Sequence, residues 1–288
     1  MLKSMTGFAR AERSTPVGVL AWEIRSVNHR YLEVGLRLPE ELRAQEADFR
    51  RSIGVAVRRG KVDASFHVRP GPDAVRELAL DTGLLDALID RADAVRRRLR
   101  AEGRIDALDL LRWPGVVKEA ERDAAGLVTP ATELLAETLT AFIASRAGEG
   151  ERIEEMLRSR AARVTEIIAV IGARLPEVQA RIRAKLGERL AALRAEVNPE
   201  RLEQEVALLL QKMDVAEELD RLGSHVDEFT ATIASGDAVG RKLDFLMQEF
   251  NREANTLSSK SQDVETTRQA VELKVLIEQM REQVQNVE

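Results

Sequence analysis

The sequence predicts an α+β fold, and three observations point to it. Apolar and polar residues alternate with period two through most of the first 70 residues, as they do along strands with one buried face. From Asp81 onward the apolar residues recur at spacings of three and four, the rhythm of a helix face. Aromatic residues make up 3% of the chain and charged residues 32%, which suits long helices packed by aliphatic side chains. The expected architecture is an N-terminal antiparallel-type sheet with a helix, then a predominantly α-helical region of long helices ending in a short coiled-coil-like seam. The expected units are an α+β domain over 1–150, a long helical linker over 151–200 and a helical domain over 201–288.

Three strands are predicted first. Leu20, Trp22 and Ile24 alternate with Ala21, Glu23 and Arg25; Leu32, Val34, Leu36 and Leu38 alternate with Glu33, Gly35 and Arg37; Val62, Ala64, Phe66 and Val68 alternate with polar neighbours. Between the second and third strands, Glu40 to Arg58 has helical spacing and is opened by Pro39. The PGPD stretch at Pro70–Asp73 breaks the pattern. Helices are then expected over Asp81–Arg100, with Asp81 as its cap, from Thr129 to about Ser145, over Glu151–Ala173 and on to a kink at Pro176. Asn198–Pro199 marks a break, followed by a single helix from about Glu200 to Ala234 and another over Arg241–Leu257. In the last helix, Leu273, Ile277, Met280, Val284 and Val287 form a short a/d seam, a pattern that suggests helical hairpins and self-association.

Composition narrows the function. The absence of cysteine excludes disulfides and thiolate metal sites. No apolar run approaches the roughly 20 residues of a bilayer span, and the start lacks the apolar stretch of a secretory signal, so a cytoplasmic protein is expected. The net charge of −5 hides an asymmetry: residues 1–80 hold fourteen Lys/Arg against ten Asp/Glu, while 201–288 hold ten against eighteen. That balance argues against an indiscriminate nucleic-acid binder but allows a basic face in one half and an acidic site in the other.

The chain has no nucleotide-binding loop, no HExxH and no nucleophile elbow. Carboxylate chemistry remains. Glu218, Arg221, His225, Glu228 and Thr232 form one polar helical stripe beside the apolar stripe Leu219, Leu222, Val226, Phe229 and Ile233. Glu249 and Glu253 are four apart on the next helix, and Glu278 and Glu282 are four apart on the last. If these helices pack together, His225 and carboxylates from Glu249, Glu253, Glu278 and Glu282 offer the oxygen-rich donors that Mn²⁺ or Mg²⁺ prefers, and Mn²⁺ also accepts an imidazole. The same spacing describes the ion-paired, solvated shoulder of a helical hairpin, with His225 hydrogen-bonded to Glu218 or Glu228. In the N-terminal half, Arg25, Arg37, Lys61, His67 and Arg69 and the turn Ser26–Arg30 expose cationic and amide groups, and Arg58–Lys61 is a compact basic cluster. Such groups suit phosphate contacts; a salt-bridged solvent face is the competing reading, because Glu23, Glu33 and Asp63 are interspersed.

The opening SMTGFAR, the run EIRSVNHRYLE followed by RLPE, RGKV at Arg59–Val62, and SRAGEG at Ser145–Gly150 are joined by LGSHVDEF, GRKLDFLMQEFNREANTLSSKS and the ending IEQMREQVQNVE. Together they resemble the YicC/YloC family of bacterial proteins. The resemblance implies a cytoplasmic endoribonuclease that is dependent on a divalent cation, is assembled as a homo-oligomer (a hexamer) and works in RNA turnover beside other enzymes of that process. On the matching motifs, Arg25, Asn28, His29, Arg30, Arg59 and Lys61 become RNA-contact candidates. His225, Glu249 and Glu253 become catalytic candidates, and with Glu278 and Glu282 they form the metal-ligand candidates. Two other functions stay open: an RNA-binding adaptor that delivers transcripts to another nuclease, and an oligomeric helical scaffold. A metal-free ribonuclease would need His29 and His67 as an acid–base pair.

Overall fold

Period-two alternation in the N-terminal part resolves into four strands: β1 (Gly7–Thr15), β2 (Gly18–Val27), β3 (Leu32–Arg37) and β4 (Gly60–Arg69). The computed structural model describes residues 2–70, 79–99, 106–118, 124–192, 199–235 and 239–288. The sheet order is β1-β2-β4-β3, antiparallel except that β3 runs parallel to β4. A parallel neighbour needs a crossover, and a short 3₁₀ segment (Glu40–Gln45) with α1 (Glu46–Ala56) supplies it from the predicted helical stretch. The first strand has no apolar signal in the sequence. Its inward residues include Ala9 and Ala11, small enough for a helix to lie directly across them.

That helix is α4 (Ala124–Ala192), 69 residues and therefore about 100 Å long. It begins before the expected Thr129, passes both Gly148 and Gly150, and continues beyond Pro176. Leu127, Leu134, Leu135 and Phe142 close the sheet core over Trp22, Ile24, Phe49 and Phe66. The Trp22 indole N–H donates to the Ala131 carbonyl at 2.8 Å, and Arg13 pairs with Glu133 and Glu137. Further along, Ile153, Leu157, Val164, Ile167 and Ile171 enter a second core. By length and composition α4 would also suit a membrane span; its buried apolar side chains face these two cores. Before it come β5 (Ala79–Leu80), α2 (Thr82–Leu99), α3 (Ala107–Leu111) and β6 (Val117–Lys118), with β5 and β6 paired. Asp81 caps α2 as expected, accepting from Leu84 N–H at 2.9 Å. Most of PGPD and Asn198 lie outside the described residues.

The second core is built by α4 with α6 (Ala216–Ser235), α7 (Gly240–Lys260) and α8 (Val264–Val284). The single helix expected from Glu200 to Ala234 is two: α5 (Pro199–Lys212) stops, and Asp214 Oδ1 accepts from Ala216 N–H at 3.0 Å to start α6. At the start of α8, Asp263 accepts from the Thr266 N–H and pairs with Arg174 and Arg181 of α4. The Arg174 hydrogen bond foremost, with those from Thr266, holds the Asp263 carboxyl well below the usual carboxylate range. The predicted seam exists, and Leu273, Ile277, Met280, Val284 and Val287 are buried. They pack within the chain's own bundle, so the seam supplies helical hairpins and not a free surface for self-association.

The two halves are joined a second time by the chain's ends. Leu2 is buried in the helical core, Met5 N–H donates to the Asn286 carbonyl at 2.7 Å, and Glu288 N–H donates to that of Lys3 at 2.9 Å. Arg146, buried in mid-α4, donates to the Ser4 carbonyl and pairs with the Glu288 side chain. Gly150, one turn on, lets the backbone of Leu2 and Lys3 lie against the helix.

Candidate functional site

Helices α6 and α7 pack as an antiparallel hairpin, and the polar stripe of α6 lies along α7. From one end, Glu218 pairs with Lys260 at 2.7 Å, Arg221 with Glu253 at 3.5 Å, and at the other end Glu228 pairs with Lys242 at 3.0 Å. Between the second and last of these lies His225. One ligand atom each from His225, Glu249 and Glu253 falls within 4.8 Å of the others. The stripe is thus an ion-paired shoulder at its ends and a histidine–carboxylate cluster in its middle. Among the described residues His225 makes no hydrogen bond or ion pair with Glu218 or Glu228, which pair with Lys260 and Lys242.

The cluster sits on rigid packing. Phe250, between the two glutamates, is fully buried, with Phe229 edge-on at 5.9 Å and the His225 ring at 6.0 Å. Glu253 is only 4% exposed, and its partner in an ion pair is Arg221. Burying a carboxylate is costly unless a cation or hydrogen bonds compensate it. Glu249 is less buried and has Arg252 at 3.9 Å. One nitrogen and two carboxylate oxygens on two braced helices form a donor set that suits Mn²⁺ or Mg²⁺. Glu278 and Glu282 lie outside the cluster. Both are exposed on α8, and Glu278 pairs with Arg281. Their i, i+4 spacing reflects a solvated helix face, because the opposite face of α8 carries the buried seam.

A second arrangement lies where the sheet meets the bundle. Asn28, His29 and Arg30 follow β2, Arg59 precedes β4, and these four line one open cleft with Arg241 from the first turn of α7. Arg59 Nε donates to the His29 carbonyl at 3.2 Å, and the Asn28 amide donates to the Gln285 carbonyl at 2.7 Å, which ties the cleft to the joined chain ends. Nearby carboxylates are Glu33, 3.7 Å from His29 Nε2, and Asp244, which borders the adjoining hollow. Arg241 has no ion-pair partner among the described residues. The spacing pattern did not single it out; its signal was the GRK opening of the α7 motif, two cations at a helix start, where the dipole disfavours them.

Arg25 and Lys61 are not in this cleft. Arg25 lies over the Phe8 ring and near Glu23 on the open sheet face, and Lys61 is paired in register with Glu33. His29 and His67 are not neighbours. His29 adjoins the Gly60 end of β4, and His67 is seven residues along the strand, roughly 23 Å away at strand rise. An acid–base pair between them is excluded by that separation.

Comparison with known proteins accounts for these motifs. The model of the endoribonuclease YicC-like N-terminal region matches residues 2–155, and that of the YicC-like C-terminal domain matches 171–288. The chain belongs to the YicC-like endoribonuclease family. A protein of Haemophilus influenzae named "Probable endoribonuclease YicC" is 43% identical over 288 residues, covering 100% of both chains. A Clostridioides difficile protein of the same name is 32% identical over 295 residues, again covering 100% of both. The YicC-like motifs map onto the structure with a division of labour. SMTGFAR, SRAGEG and the C-terminal segment build the junction of the chain ends, SVNHR and RGK build the cleft, and LGSHVDEF with the α7 motif builds the cluster.

Proposed function

We propose that this YicC-like chain is an endoribonuclease that holds RNA phosphates in the basic cleft and hydrolyses a phosphodiester at a divalent-cation centre formed by His225, Glu249 and Glu253. The observation that carries this reading is the convergence of those three donors within 4.8 Å. The names of the two relatives support RNA as the substrate. A bound Mn²⁺ or Mg²⁺ would supply Lewis acidity and an activated water. The chain's own residues do the rest. Phe229 and Phe250 fix the helix faces that present the donors, Arg221 pairs with Glu253, and Asn28, His29, Arg30, Arg59 and Arg241 offer hydrogen bonds and positive charge to the RNA backbone. The cytoplasm is the proposed compartment, and a homo-oligomer, a hexamer in line with the family resemblance, is the proposed assembly.

The test is cleavage of a labelled RNA by wild type, Glu249→Gln and Arg241→Ala, with Mn²⁺ and with EDTA, each variant checked for fold by circular dichroism. Metal-stimulated cleavage by the wild type should be lost in Glu249→Gln. Arg241→Ala should weaken RNA binding and lower the salt slope by about one. Equal cleavage by wild type and Glu249→Gln, or cleavage that survives EDTA, overturns the metal centre. The ion pairs on either side of the cluster support a second reading, a structural polar seam in an RNA-binding adaptor; RNA binding without cleavage is its outcome.

A further inference from the structure

We propose that Arg221 is the residue that clamps the scissile phosphate, moving from Glu253 to the phosphoryl oxygens when a cation occupies the cluster. This rests on the metal-centre reading above and extends it to a residue with a different job. Three observations carry it.

The first is position. Arg221 lies one turn before His225 on α6, with Nη1 3.5 Å from the Glu253 carboxylate and Nη2 hydrogen-bonded to Glu217. The second is exposure. The Arg221 side chain is 51% exposed and that of Glu253 5%, so the guanidinium has one edge toward the cluster and another toward the solvent from which RNA arrives. The third is the quality of the contact. Lys260 approaches Glu218 to 2.7 Å and also donates to the Asp214 carbonyl, and Lys242 lies 3.0 Å from Glu228. Arg221 and Glu253 are 3.5 Å apart with no hydrogen bond between them, the loosest of the three pairs that bridge α6 and α7 here.

Chemistry favours exchange at that loose contact. A divalent cation and a guanidinium compete for the same carboxylate oxygens, so a cation on Glu253 releases Arg221. A phosphodiester entering beside two carboxylates is repelled unless a cation faces it. The guanidinium has five N–H donors in a planar fork matched to two phosphate oxygens, and its charge counters the negative charge that builds up as water attacks phosphorus.

The experiment measures Mn²⁺ affinity and RNA turnover separately for Arg221→Ala and Arg221→Lys. Mn²⁺ affinity is read by calorimetry without RNA. If Arg221 clamps phosphate, Arg221→Ala binds Mn²⁺ as well as or better than wild type, because a competitor is gone, while kcat falls by roughly 10²–10³. Arg221→Lys keeps the charge without the fork and recovers only part of that loss. If Arg221 merely orients Glu253, Mn²⁺ affinity falls together with kcat, and the proposal is overturned. Unchanged kcat in Arg221→Ala also overturns it. A wild-type protein that binds no Mn²⁺ defeats the metal-centre reading itself, a result distinct from either of these.

Discussion

Two glycines of one motif should respond in opposite ways to the same substitution. Gly148 and Gly150 lie two residues apart in the middle of α4, and helix propensity alone would make alanine better by about 0.8–1 kcal/mol at either site. The surroundings differ. A Cβ at Gly148 meets nothing within 4 Å. A Cβ at Gly150 would overlap the Leu2 carbonyl oxygen and lie 2.6 Å from its carbon and 2.9 Å from Lys3 Cα, all backbone that cannot rotate away. Relief requires moving residues 2–5, which are held by Ser4 N–H to the Arg146 carbonyl (3.1 Å), Met5 N–H to that of Asn286 (2.7 Å) and Glu288 N–H to that of Lys3 (2.9 Å). Weakening two or three such bonds costs about 1 kcal/mol each, and displacing Leu2 from the core adds to it. Net of the propensity gain, Gly150→Ala should destabilise by roughly 1–3 kcal/mol and lower Tm by on the order of 5 °C, while Gly148→Ala should raise Tm by about 2–3 °C. Differential scanning calorimetry on both variants checks this. If Gly150→Ala stabilises the protein as Gly148→Ala does, the chain end does not seat against α4 as described.

The burial of the seam makes Ile277→Asp a fold-breaking change: even Ile277→Ala should cost about 2–5 kcal/mol, whereas Glu278→Gln on the exposed face should leave Tm unchanged in thermal unfolding. Asp263 yields a pH dependence. Its folded pKa is depressed, so its stabilising contribution is full above the unfolded value of about 3.9 and is lost as pH falls toward the folded value. Asp263→Asn should therefore be less stable than wild type at neutral pH in urea titrations, and the gap should narrow below about pH 4; a gap constant across that window would show that the ionised carboxylate is not the stabilising group.

How much the sequence revealed depended on how far each signal reached along the chain. The buried faces of β2 and β4 were plain because Trp22, Ile24, Val62 and Phe66 stand in strict alternation; β1 was not, because the helix lying over it requires alanines there. Helix spacing put His225, Glu249 and Glu253 on single faces but could not say which faces meet. The antiparallel packing of α6 on α7 decided that, and it left Glu278 and Glu282 on the far side of α8. Asn28, His29, Arg30 and Arg59 flank strand ends that pair with each other, so they share one turn region of the sheet; Arg241 joins them from about 180 residues downstream, a contact of tertiary origin marked in the sequence only by two cations at the start of a helix. Arg146 was hidden for the same reason, since a buried arginine in a charged helix reads like its exposed neighbours.

The placement of Arg241 bears on how cleft and cluster work together. Arg241 and Glu249 stand on one helix, eight residues or about 12 Å of rise apart, so in the proposed function the spacing between a phosphate in the cleft and the carboxylates would be set by α7 itself. The other half of the cleft belongs to the sheet, and its position relative to α7 depends on the junction of the chain ends around Arg146. Loosening that junction should therefore separate two properties that would fall together if the site were one rigid unit. In Arg146→Lys, which retains the charge and loses the paired contacts to Ser4 and Glu288, RNA affinity should drop severalfold while Mn²⁺ affinity at the His225 cluster stays at the wild-type value. Filter binding and calorimetry on the same preparation measure the two quantities. A parallel loss of both would mean that the junction supports the α6–α7 hairpin as well, and the proposed division between a cleft for RNA set by the chain ends and a cluster set by two helices would no longer stand.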